Sequence, residues 1–257
     1  MEIAAPPGFT CRYVETIGST SDALKEAAAD FAPDGTAIAA GEQTAGRGRY
    51  GRRWASPPGN LYMSLLLRDV GPLHAAAQLS FVAAVAMGEA ISHLTPEGVA
   101  VRFKWPNDVL ANGAKTAGVL LESGGAPGEP WVIVGTGVNL ISHPEGTDFP
   151  ATDLSAEGAA VAPPALAAAY LAAFARWRRR WRDQGFAPIR AAWLAAAAHL
   201  GGPVRLKLAG REPRDGRFVD LDEDGALSFE PDHGGPRERI SAGEVHFPRE
   251  DPADAKE

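Results

Sequence analysis

Residues 43–54 are the part of the sequence that most restricts what the chain can form. Within eight residues, from Gly46 to Arg53, this stretch holds three glycines and four arginines, and Trp54 follows directly. Glycine lets the backbone adopt positive φ angles and approach a ligand closely. Arginine offers a planar fork of donors that suits carboxylate and phosphate oxygens. This composition is typical of a loop that closes over an anion, and a solvated basic turn is the alternative.

Two familiar nucleotide motifs do not account for this loop. Its glycines match the spacing of the dinucleotide fingerprint, and a predicted strand over 36–43 precedes them, but that fingerprint should open a helix. Here residues 55–59 (Ala-Ser-Pro-Pro-Gly) follow, and their prolines cannot propagate a helix. The Gly-Lys-Ser/Thr of a P-loop does not follow the glycines either. The loop therefore indicates a different anion-binding site.

The composition is that of an ordinary globular protein, with 45 % hydrophobic and 22 % charged residues among 257. A formal net charge of −7 argues against a general nucleic-acid binder. The single cysteine, Cys11, permits no intrachain disulfide and suits a reducing compartment. The N-terminus lacks the basic start and apolar run of a signal peptide, and polar residues interrupt the apolar segment 74–94, which favours a core helix. We expect a cytoplasmic protein that binds neither DNA nor a membrane.

Local patterns predict strands and helices in alternation over the first 200 residues. A strand over 10–17 leads to a helix for which Ser19 or Thr20 is the natural N-cap. Further strands are predicted over 36–43, 60–67, 99–103, 109–111, 115–122 and 131–140, and helices over 74–94, 163–181 and 188–200. Asn112-Gly113 predicts a type I′ hairpin. The basic run 176–182 predicts a solvated helix face, with its two tryptophans packing inward.

Polar residues follow the predicted strand over 99–103. The segment 104–108 (Lys-Trp-Pro-Asn-Asp) combines a fixed backbone at its proline with side chains that can project together, as a binding site requires. Lys115 begins a strand directly after the predicted hairpin, and Gly118 leaves room for a ligand against that strand. The glycines in the segment 135–137 indicate another close approach to the backbone, although a β-bulge would give the same pattern.

The C-terminal quarter of the chain has a different pattern. Residues 201–203 (Gly-Gly-Pro) break the preceding helix, and five short strand candidates separated by turns then predict a small β-barrel. We therefore expect a first domain over 1–200, a second over 201–250 and a frayed tail over 251–257.

Taken together, these stretches resemble biotin protein ligases, the enzymes that attach biotin to acceptor proteins. The resemblance covers roughly residues 10–145 in order and spacing: 18–20 (Gly-Ser-Thr), 42–49 (Glu-Gln-Thr-Ala-Gly-Arg-Gly-Arg), 51–54 (Gly-Arg-Arg-Trp), 59–62 (Gly-Asn-Leu-Tyr), 104–108, 115–120 (Lys-Thr-Ala-Gly-Val-Leu) and 135–139 (Gly-Thr-Gly-Val-Asn). Residues 224–227 and 241–245 look like parts of the family's SH3-like domain. The resemblance implies an α+β fold, with a mixed-sheet biotin/lipoate-ligase-like catalytic domain and a small C-terminal SH3-like β-barrel.

The sequence departs from the family pattern at two points. Some members carry an N-terminal winged helix-turn-helix that represses transcription, but here only residues 1–9 precede the first predicted strand, so we expect no DNA binding. Ser21 stands where many members have asparagine after the Ser-Thr pair.

The resemblance implies a two-step reaction that consumes ATP and biotin, with Mg²⁺ accompanying ATP. The biotin carboxylate attacks the α-phosphate to give biotinyl-5′-AMP and pyrophosphate, and an acceptor lysine then attacks the acyl carbon and releases AMP. Lys115 and Arg49 are the implied catalytic residues, because the first step joins two anions. Asp108 is the implied contact for Mg²⁺. The implied biotin-binding residues are Ser19, Thr20, Ser21, Gln43, Gly46, Arg47, Gly48, Arg49, Lys115 and Gly118. Those for ATP and the adenylate are Arg49, Arg52, Trp54, Asn60, Lys104, Asn107 and Asn139.

The sequence leaves two alternatives open. One is a lipoate or octanoate ligase of the same superfamily, and the other is a biotin-binding sensor that has lost transfer activity. The arginine-rich loop and segment 104–108 favour biotin, and the retained Lys115 and Arg49 favour an enzyme. The expected partner is a biotin carboxyl carrier protein domain of a biotin-dependent carboxylase. Whether the chain forms a homodimer is open.

Overall fold

The computed structural model describes residues 1–68, 70–71, 73–126 and 128–247. The predicted tail over 251–257, and the last three residues of the predicted second domain, lie outside these ranges.

An eight-stranded mixed sheet forms the larger part of the protein. Its strands are β1 Glu2–Ile3, β2 Thr10–Ile17, β3 Thr36–Gln43, β4 Leu61–Leu67, β5 Val101–Lys104, β6 Asp108–Ala111, β7 Ala114–Ala126 and β8 Glu129–Val138. Their spatial order is β1-β2-β3-β4-β8-β7-β6-β5. Only β2 and β3 run parallel, and every other neighbouring pair is antiparallel. The predicted mixed sheet is confirmed, and β1 is a strand that the sequence did not indicate.

Helices cover both faces of this sheet. Helix α1 Thr20–Ala29 packs against one face, where Leu24 contacts a small cluster that includes Leu66 of β4. Helices α2 Leu79–Leu94, α3 Pro163–Gln184 and α4 Ala187–Ala195 belong to the main core on the opposite face, which Met63 and Leu65 of β4 enter. Because strand residues alternate between faces, β4 presents Ser64 and Leu66 to the α1 side.

Helix α2 is the buried core helix that the sequence predicts, although a short 3₁₀ helix, Leu73–Gln78, forms its predicted first turns. By length and composition alone, residues 75–94 could cross a membrane. About two-thirds of this segment (67 %) is buried within the fold, however. Such burial is typical of a core helix in a globular domain, whereas a membrane span would face lipid.

The basic run on α3 is only partly solvated, which corrects the expectation from the sequence. Trp181 is buried as predicted, and Trp177 is partly buried. Arg178, however, is 5 % exposed, and its guanidinium donates to both carboxylate oxygens of Asp34 at 2.7 and 2.8 Å. This pair fixes α3 to the segment that precedes β3.

The hairpin between β6 and β7 has the predicted geometry. Asn112 and Gly113 have φ angles of 47° and 85°, as a type I′ turn requires at both central positions. The turn brings Lys115 into β7 directly beside β6. The backbone of Lys115 also forms a parallel bridge with Ala151, which fixes the connection between β8 and α3 near the start of β7.

A second, wholly antiparallel sheet follows α4. Its strands are β9 Pro203–Lys207, β10 Arg214–Leu221, β11 Leu227–Pro231, β12 Glu238–Ile240 and β13 Glu244–His246, in the spatial order β12-β11-β10-β9-β13. These five strands are the predicted small β domain. The boundary at residue 200 stays a prediction.

An aromatic seam joins this second sheet to the first domain. Trp193 of α4 is fully buried, and its ring lies 5.6 Å from Phe81, 5.9 Å from Phe103 and 6.1 Å from Phe218 of β10. Trp105 adds a polar contact across the seam, because its Nε1–H donates to the carbonyl of Gly225 at 3.0 Å. The second domain is thereby held against the end of the sheet where β5 and β6 lie.

We expect Trp193→Ala to destabilise the protein strongly, because it removes the ring that packs against both domains. Truncating a buried tryptophan typically costs about 3–5 kcal/mol. Urea unfolding monitored by circular dichroism measures the free energy of unfolding. Trp177→Ala, at a partly buried position, is the matched control and should cost clearly less. A loss below about 1 kcal/mol at Trp193, within the range of ordinary substitutions, would contradict the seam.

Candidate active site

A cavity of about 470 Å³ opens on the α1 side of the mixed sheet. Its walls come from the start of α1, strands β4, β7 and β8, the glycine–arginine loop, residues 144–151 and strand β13. Fifteen of the residues predicted from the sequence line it: Ser19, Thr20, Ser21, Gln43, Arg47, Gly48, Arg49, Arg52, Trp54, Lys104, Asn107, Asp108, Lys115, Gly118 and Asn139. Gly46 and Asn60 do not. A volume of this size suits a small organic ligand.

One end of the cavity is lined by neutral polar groups. Ser19 is the N-cap of α1, and its hydroxyl accepts from Asp22 N, which places Thr20 and Ser21 in the first turn. Gln43 Oε1 accepts from both the backbone N–H (2.8 Å) and the hydroxyl (3.1 Å) of Thr20. Ser64 lies between the two α1 hydroxyls, 2.7 Å from Thr20 Oγ1 and 3.0 Å from Ser21 Oγ. This end is therefore built of hydroxyls that are already hydrogen-bonded to one another.

A buried ion triad lies at another part of the wall. Asp108 accepts from Lys104 Nζ at 2.8 Å and from Lys115 Nζ at 2.6 Å, and both Asp108 and Lys104 are 5 % exposed. Burial by itself would raise the pKa of the Asp108 carboxyl, but the charges and hydrogen bonds of the two lysines outweigh it and lower that pKa to about 2. The carboxylate stays ionised throughout the neutral range, and the triad carries one net positive charge.

Asp108 does not suit the Mg²⁺ role that the resemblance implied. Each of its oxygens already accepts from an ammonium group, and a divalent cation there would lie beside two positive charges that repel it. Among the described residues, no group of three or more histidine, cysteine, aspartate or glutamate side chains is arranged to hold a metal ion. The part of the chain that the structure describes therefore shows no metal site held by protein side chains.

Trp54 lies directly on the two neighbouring strands β7 and β8. A Cβ atom at Gly118 would come within 3.2 Å of its ring, and one at Gly137 would lie 2.6 Å from its Nε1. Lys115 Nζ is 5.2 Å from the centre of the same ring. Gly118 and Gly137, where the sequence predicts a close approach to the backbone, are thus the positions that accommodate the Trp54 ring. Its buried Nε1–H has no hydrogen-bond partner among the described residues.

The glycine–arginine loop is folded back on itself and tied to both domains. Trp54 N donates to Gly46 O at 3.0 Å, and a Cβ atom at Gly46 would lie 2.7 Å from Trp54 O. Gly46 therefore shapes the loop without lining the cavity. Arg49 donates to Asn107 Oδ1 (3.4 Å) and to Gly243 O (3.3 Å) in the turn before β13.

Two of the other three loop arginines, Arg47 and Arg52, have acidic partners. Arg47 Nη2 donates to Asp22 at 2.6 Å and to Glu122 at 3.5 Å. The hydrogen bond from Arg47 lowers the pKa of the Asp22 carboxyl, although partial desolvation acts in the opposite direction. The guanidinium of Arg52 pairs with Glu244 of β13. The hydrogen-bond partners of Arg49 are all neutral groups, so it is better placed than Arg47 or Arg52 to turn to an arriving anion.

The three predicted asparagines have different roles. Asn60 is buried away from the cavity, and its amide holds residues 140–142 through their backbone groups. Its proposed contact with nucleotide is therefore replaced by a structural role. Asn139 lines the cavity and donates to Thr152 O at 3.0 Å. Asn107 lines it as well, and donates to Val119 O.

Several cavity residues escaped the sequence analysis. Ser64 is the only polar residue in the apolar run 61–67, and that exception was a usable signal. Phe149, from the long connection before α3, faces Lys104 Nζ at 4.6 Å. Glu244 and His246 come from β13 of the second domain. Desolvation, together with the nearby charges of Lys207 and Lys104, lowers the pKa of His246.

The fold and the cavity define an α+β enzyme site with a neutral hydroxyl end and a cationic wall beneath an arginine loop. The profile of the biotin/lipoate A/B protein ligase family matches residues 13–139, and that of the biotin protein ligase C-terminal domain matches residues 199–247. A biotin–[acetyl-CoA-carboxylase] ligase of Paracoccus denitrificans is 45 % identical over 217 residues, which are 82 % of this chain and 89 % of that protein. A second biotin–[acetyl-CoA-carboxylase] ligase, from Mycobacterium tuberculosis, is 36 % identical over 90 % of this chain and 86 % of that protein.

Solved structures agree with these sequence matches. The biotin protein ligase of Aquifex aeolicus in complex with biotin and ATP superposes with a TM-score of 0.77 at 29 % identity, covering 93 % of this chain and 99 % of that one. The biotin protein ligase of Leishmania major in complex with biotinyl-5-AMP superposes with a TM-score of 0.65 at 27 % identity, covering 92 % of this chain and 100 % of that one. The chain belongs to the biotin protein ligase family. The fold and enzyme class expected from the sequence are thereby confirmed.

We expect Gly137→Ala to impair the site by displacing Trp54, because the new methyl group would lie 2.6 Å from its Nε1. A shift of about 1 Å in a catalytic site can cost about 10²-fold in rate, so ligase activity should fall by about that factor. Gly18→Ala is the control, since a Cβ atom there meets nothing within 4 Å. Equal activity of the two variants would show that the position of Trp54 is unimportant.

Proposed function

We propose that the chain activates biotin with ATP and transfers it to a lysine of a biotin carboxyl carrier domain. In the first step, a biotin carboxylate oxygen forms a bond to the α-phosphorus and the bond to pyrophosphate breaks, which gives biotinyl-5′-AMP. In the second step, the lysine amine attacks the acyl carbon and AMP leaves. The family, and the ligands in its solved relatives, support this assignment.

The observation that carries the proposal is the ion triad in the cavity wall. Joining a carboxylate to a phosphate requires a positive group between two anions. Lys115 Nζ has three N–H donors, of which the contact with Asp108 occupies one. Its side chain is 26 % exposed, so the others can reach ligand oxygens. The contact with Asp108 also holds the ammonium group of Lys115 in place.

Arg49 is proposed to meet the same anions from the loop. Its present partners are the neutral oxygens of Asn107, Gly243 and Tyr50. An anionic oxygen adds the attraction between opposite charges, and a phosphate can accept two parallel N–H bonds from one guanidinium. A phosphate or acyl-phosphate oxygen would therefore compete well for its guanidinium. Trp54 lies between the loop and the sheet, and its buried Nε1–H has no hydrogen-bond partner among the described residues. Its ring is proposed to cover the bound ligand.

The neutral end of the cavity favours biotin over lipoate or octanoate. Biotin ends in a cyclic urea with N–H and C=O groups, whereas a dithiolane or an alkyl chain offers no hydrogen bonds. An apolar head would leave the remaining acceptor sites of Thr20, Ser21 and Ser64 without a partner, whereas the N–H groups of a cyclic urea can donate to them.

The remaining expectations stay predictions. They are transfer to the carrier domain of a carboxylase, participation of Mg²⁺ as a companion of ATP, the absence of DNA binding, and a cytoplasmic location. The oligomeric state stays open as well.

Biotin-dependent exchange of label between pyrophosphate and ATP tests the first step. We expect exchange with biotin, and none above background with octanoate or lipoate, because neither has an N–H for the hydroxyl end. Equal exchange with octanoate would overturn the assignment. Exchange with biotin but no labelling of a carrier domain would instead identify an adenylating sensor.

We expect Lys115→Ala to reduce single-turnover adenylation by about 10²–10³-fold, the usual loss for such a donor. Biotin binding without nucleotide should weaken much less, since the lysine acts mainly on charge that develops in the transition state. Quenched-flow measurement of adenylate formation and calorimetric binding of biotin separate the two effects. Lys25→Ala, which removes a surface lysine paired with Asp22 and Glu122, is the control. Adenylation within about threefold of wild type would remove Lys115 from the chemistry.

A further inference from the structure

Four polar side chains at the neutral end of the cavity form one continuous hydrogen-bonded chain, here called the hydroxyl chain. It runs from Ser21 through Ser64 and Thr20 to Gln43, with successive distances of 3.0, 2.7 and 3.1 Å. The three hydroxyl residues are 8, 1 and 3 % exposed. Water therefore has little access to their protons, and each proton must be placed within the chain or on a ligand.

The direction of the chain follows from its last member. The backbone N–H of Thr20 lies 2.8 Å from one side-chain oxygen position of Gln43, and since an N–H can only donate, that atom is Oε1. An amide oxygen carries no proton, so the hydroxyl of Thr20, at 3.1 Å from the same atom, must donate to it.

The other two protons are then fixed in turn. Thr20 has spent its only hydroxyl proton on Gln43, so Ser64 must donate to Thr20 across the 2.7 Å contact. Ser64 has then spent its own proton, so Ser21 must donate to Ser64. A hydroxyl has one donor and two acceptor sites. Every hydroxyl in the chain therefore faces the cavity as an acceptor and not as a donor.

We propose that Ser64 is a positioning residue that sets this polarity and so makes the site select ligand N–H groups. It lies outside every segment on which the family resemblance rests, and it faces the cavity because β4 alternates. Gly135 keeps the space in front of it open, since a Cβ atom there would lie 3.2 Å from Ser21 Oγ and 3.6 Å from Ser64 Oγ. The inference rests on the proposed function, in which the ligand head is a cyclic urea.

The polarity predicts which change in the ligand matters. Replacing one ring N–H of biotin by oxygen gives a cyclic carbamate of nearly the same shape, in which an acceptor faces acceptors. A site built around a ligand N–H rejects an analogue that lacks it far more strongly than a site of apolar contacts does. We expect the wild-type protein to bind biotin at least about 10²-fold more tightly than the carbamate, a conservative fraction of the 10⁴–10⁵ seen in such sites.

Ser64→Ala should reduce that discrimination specifically. Without Ser64, the hydroxyl of Ser21 has lost its acceptor and is free to donate to the ring oxygen of the carbamate. We expect biotin to bind about tenfold more weakly, and the ratio of the two dissociation constants to fall to about tenfold or less. Calorimetry or ligand-induced thermal stabilisation of the purified full chain, without ATP, gives both constants.

Two further variants separate polarity from simple damage. Thr136→Val removes a hydroxyl that lines the same cavity but donates to Met63 O outside the chain, so the ratio should stay within about twofold of wild type. Gln43→Met removes the acceptor at the end of the chain and frees the proton of Thr20, so the ratio should fall as it does in Ser64→Ala. This second variant also serves if Ser64→Ala does not fold.

The outcomes are distinct for the inference and for the proposed function. A lower ratio in Ser64→Ala, or in Gln43→Met where Ser64→Ala does not fold, supports the role of Ser64 if Thr136→Val leaves the ratio unchanged, and an unchanged ratio in folded Ser64→Ala contradicts it. If both folded variants lose affinity for biotin and carbamate equally, Ser64 is merely structural and the inference is wrong, while the proposed function stands. If the wild-type protein binds no biotin at all, the proposed function itself has failed.

Discussion

The carboxylate of Asp108 lies between two ammonium groups in the wall of the cavity, and much of the site depends on this arrangement. The register of the sheet creates it, since Asp108 pairs with Lys104 across β5–β6 and with Gly118 across β6–β7. Without the carboxylate, two nearby ammonium groups would face each other, one of them fully buried. Removing one partner of a buried ion pair typically costs about 3–5 kcal/mol. With it, the wall offers one surplus positive charge at a fixed place.

The cavity therefore combines a cationic wall at the ion triad with a neutral end at the hydroxyl chain. A ligand with an N–H-bearing head and a carboxylate tail matches both ends at once. In the proposed complex, the head would meet hydroxyls whose protons are already used, and the tail would meet Lys115, whose remaining donors are available. Trp54 covers the strands in between because Gly118 and Gly137 leave room for its ring. The neutral end and the cationic wall are therefore placed by different strands, with Ser64 on β4 and Lys115 on β7.

Features with local causes could be predicted from the sequence, and features that depend on docking could not. Strand β3 follows its predicted bounds, and the Asn112-Gly113 turn has its predicted φ angles, because short-range patterns determine both. The burial of Arg178 against Asp34 depends on where α3 docks. The role of Asn60 depends on the path of residues 140–142. The position of Ser64 in the cavity could not be predicted because it depends on which face of β4 points toward α1.

The second domain completes the site through contacts that no local pattern reveals. Arg49 reaches Gly243 O across 194 residues of sequence, and Arg52 pairs with Glu244. Gly243 directly precedes β13 and Glu244 begins it, and Glu244 and His246 of this strand line the cavity. The position of β13 depends in turn on the aromatic seam around Trp193, because that seam holds the second sheet against the first domain. The interdomain packing and the position of the arginine loop are therefore linked, because Arg49 and Arg52 have partners at β13 and the seam holds the sheet to which β13 belongs.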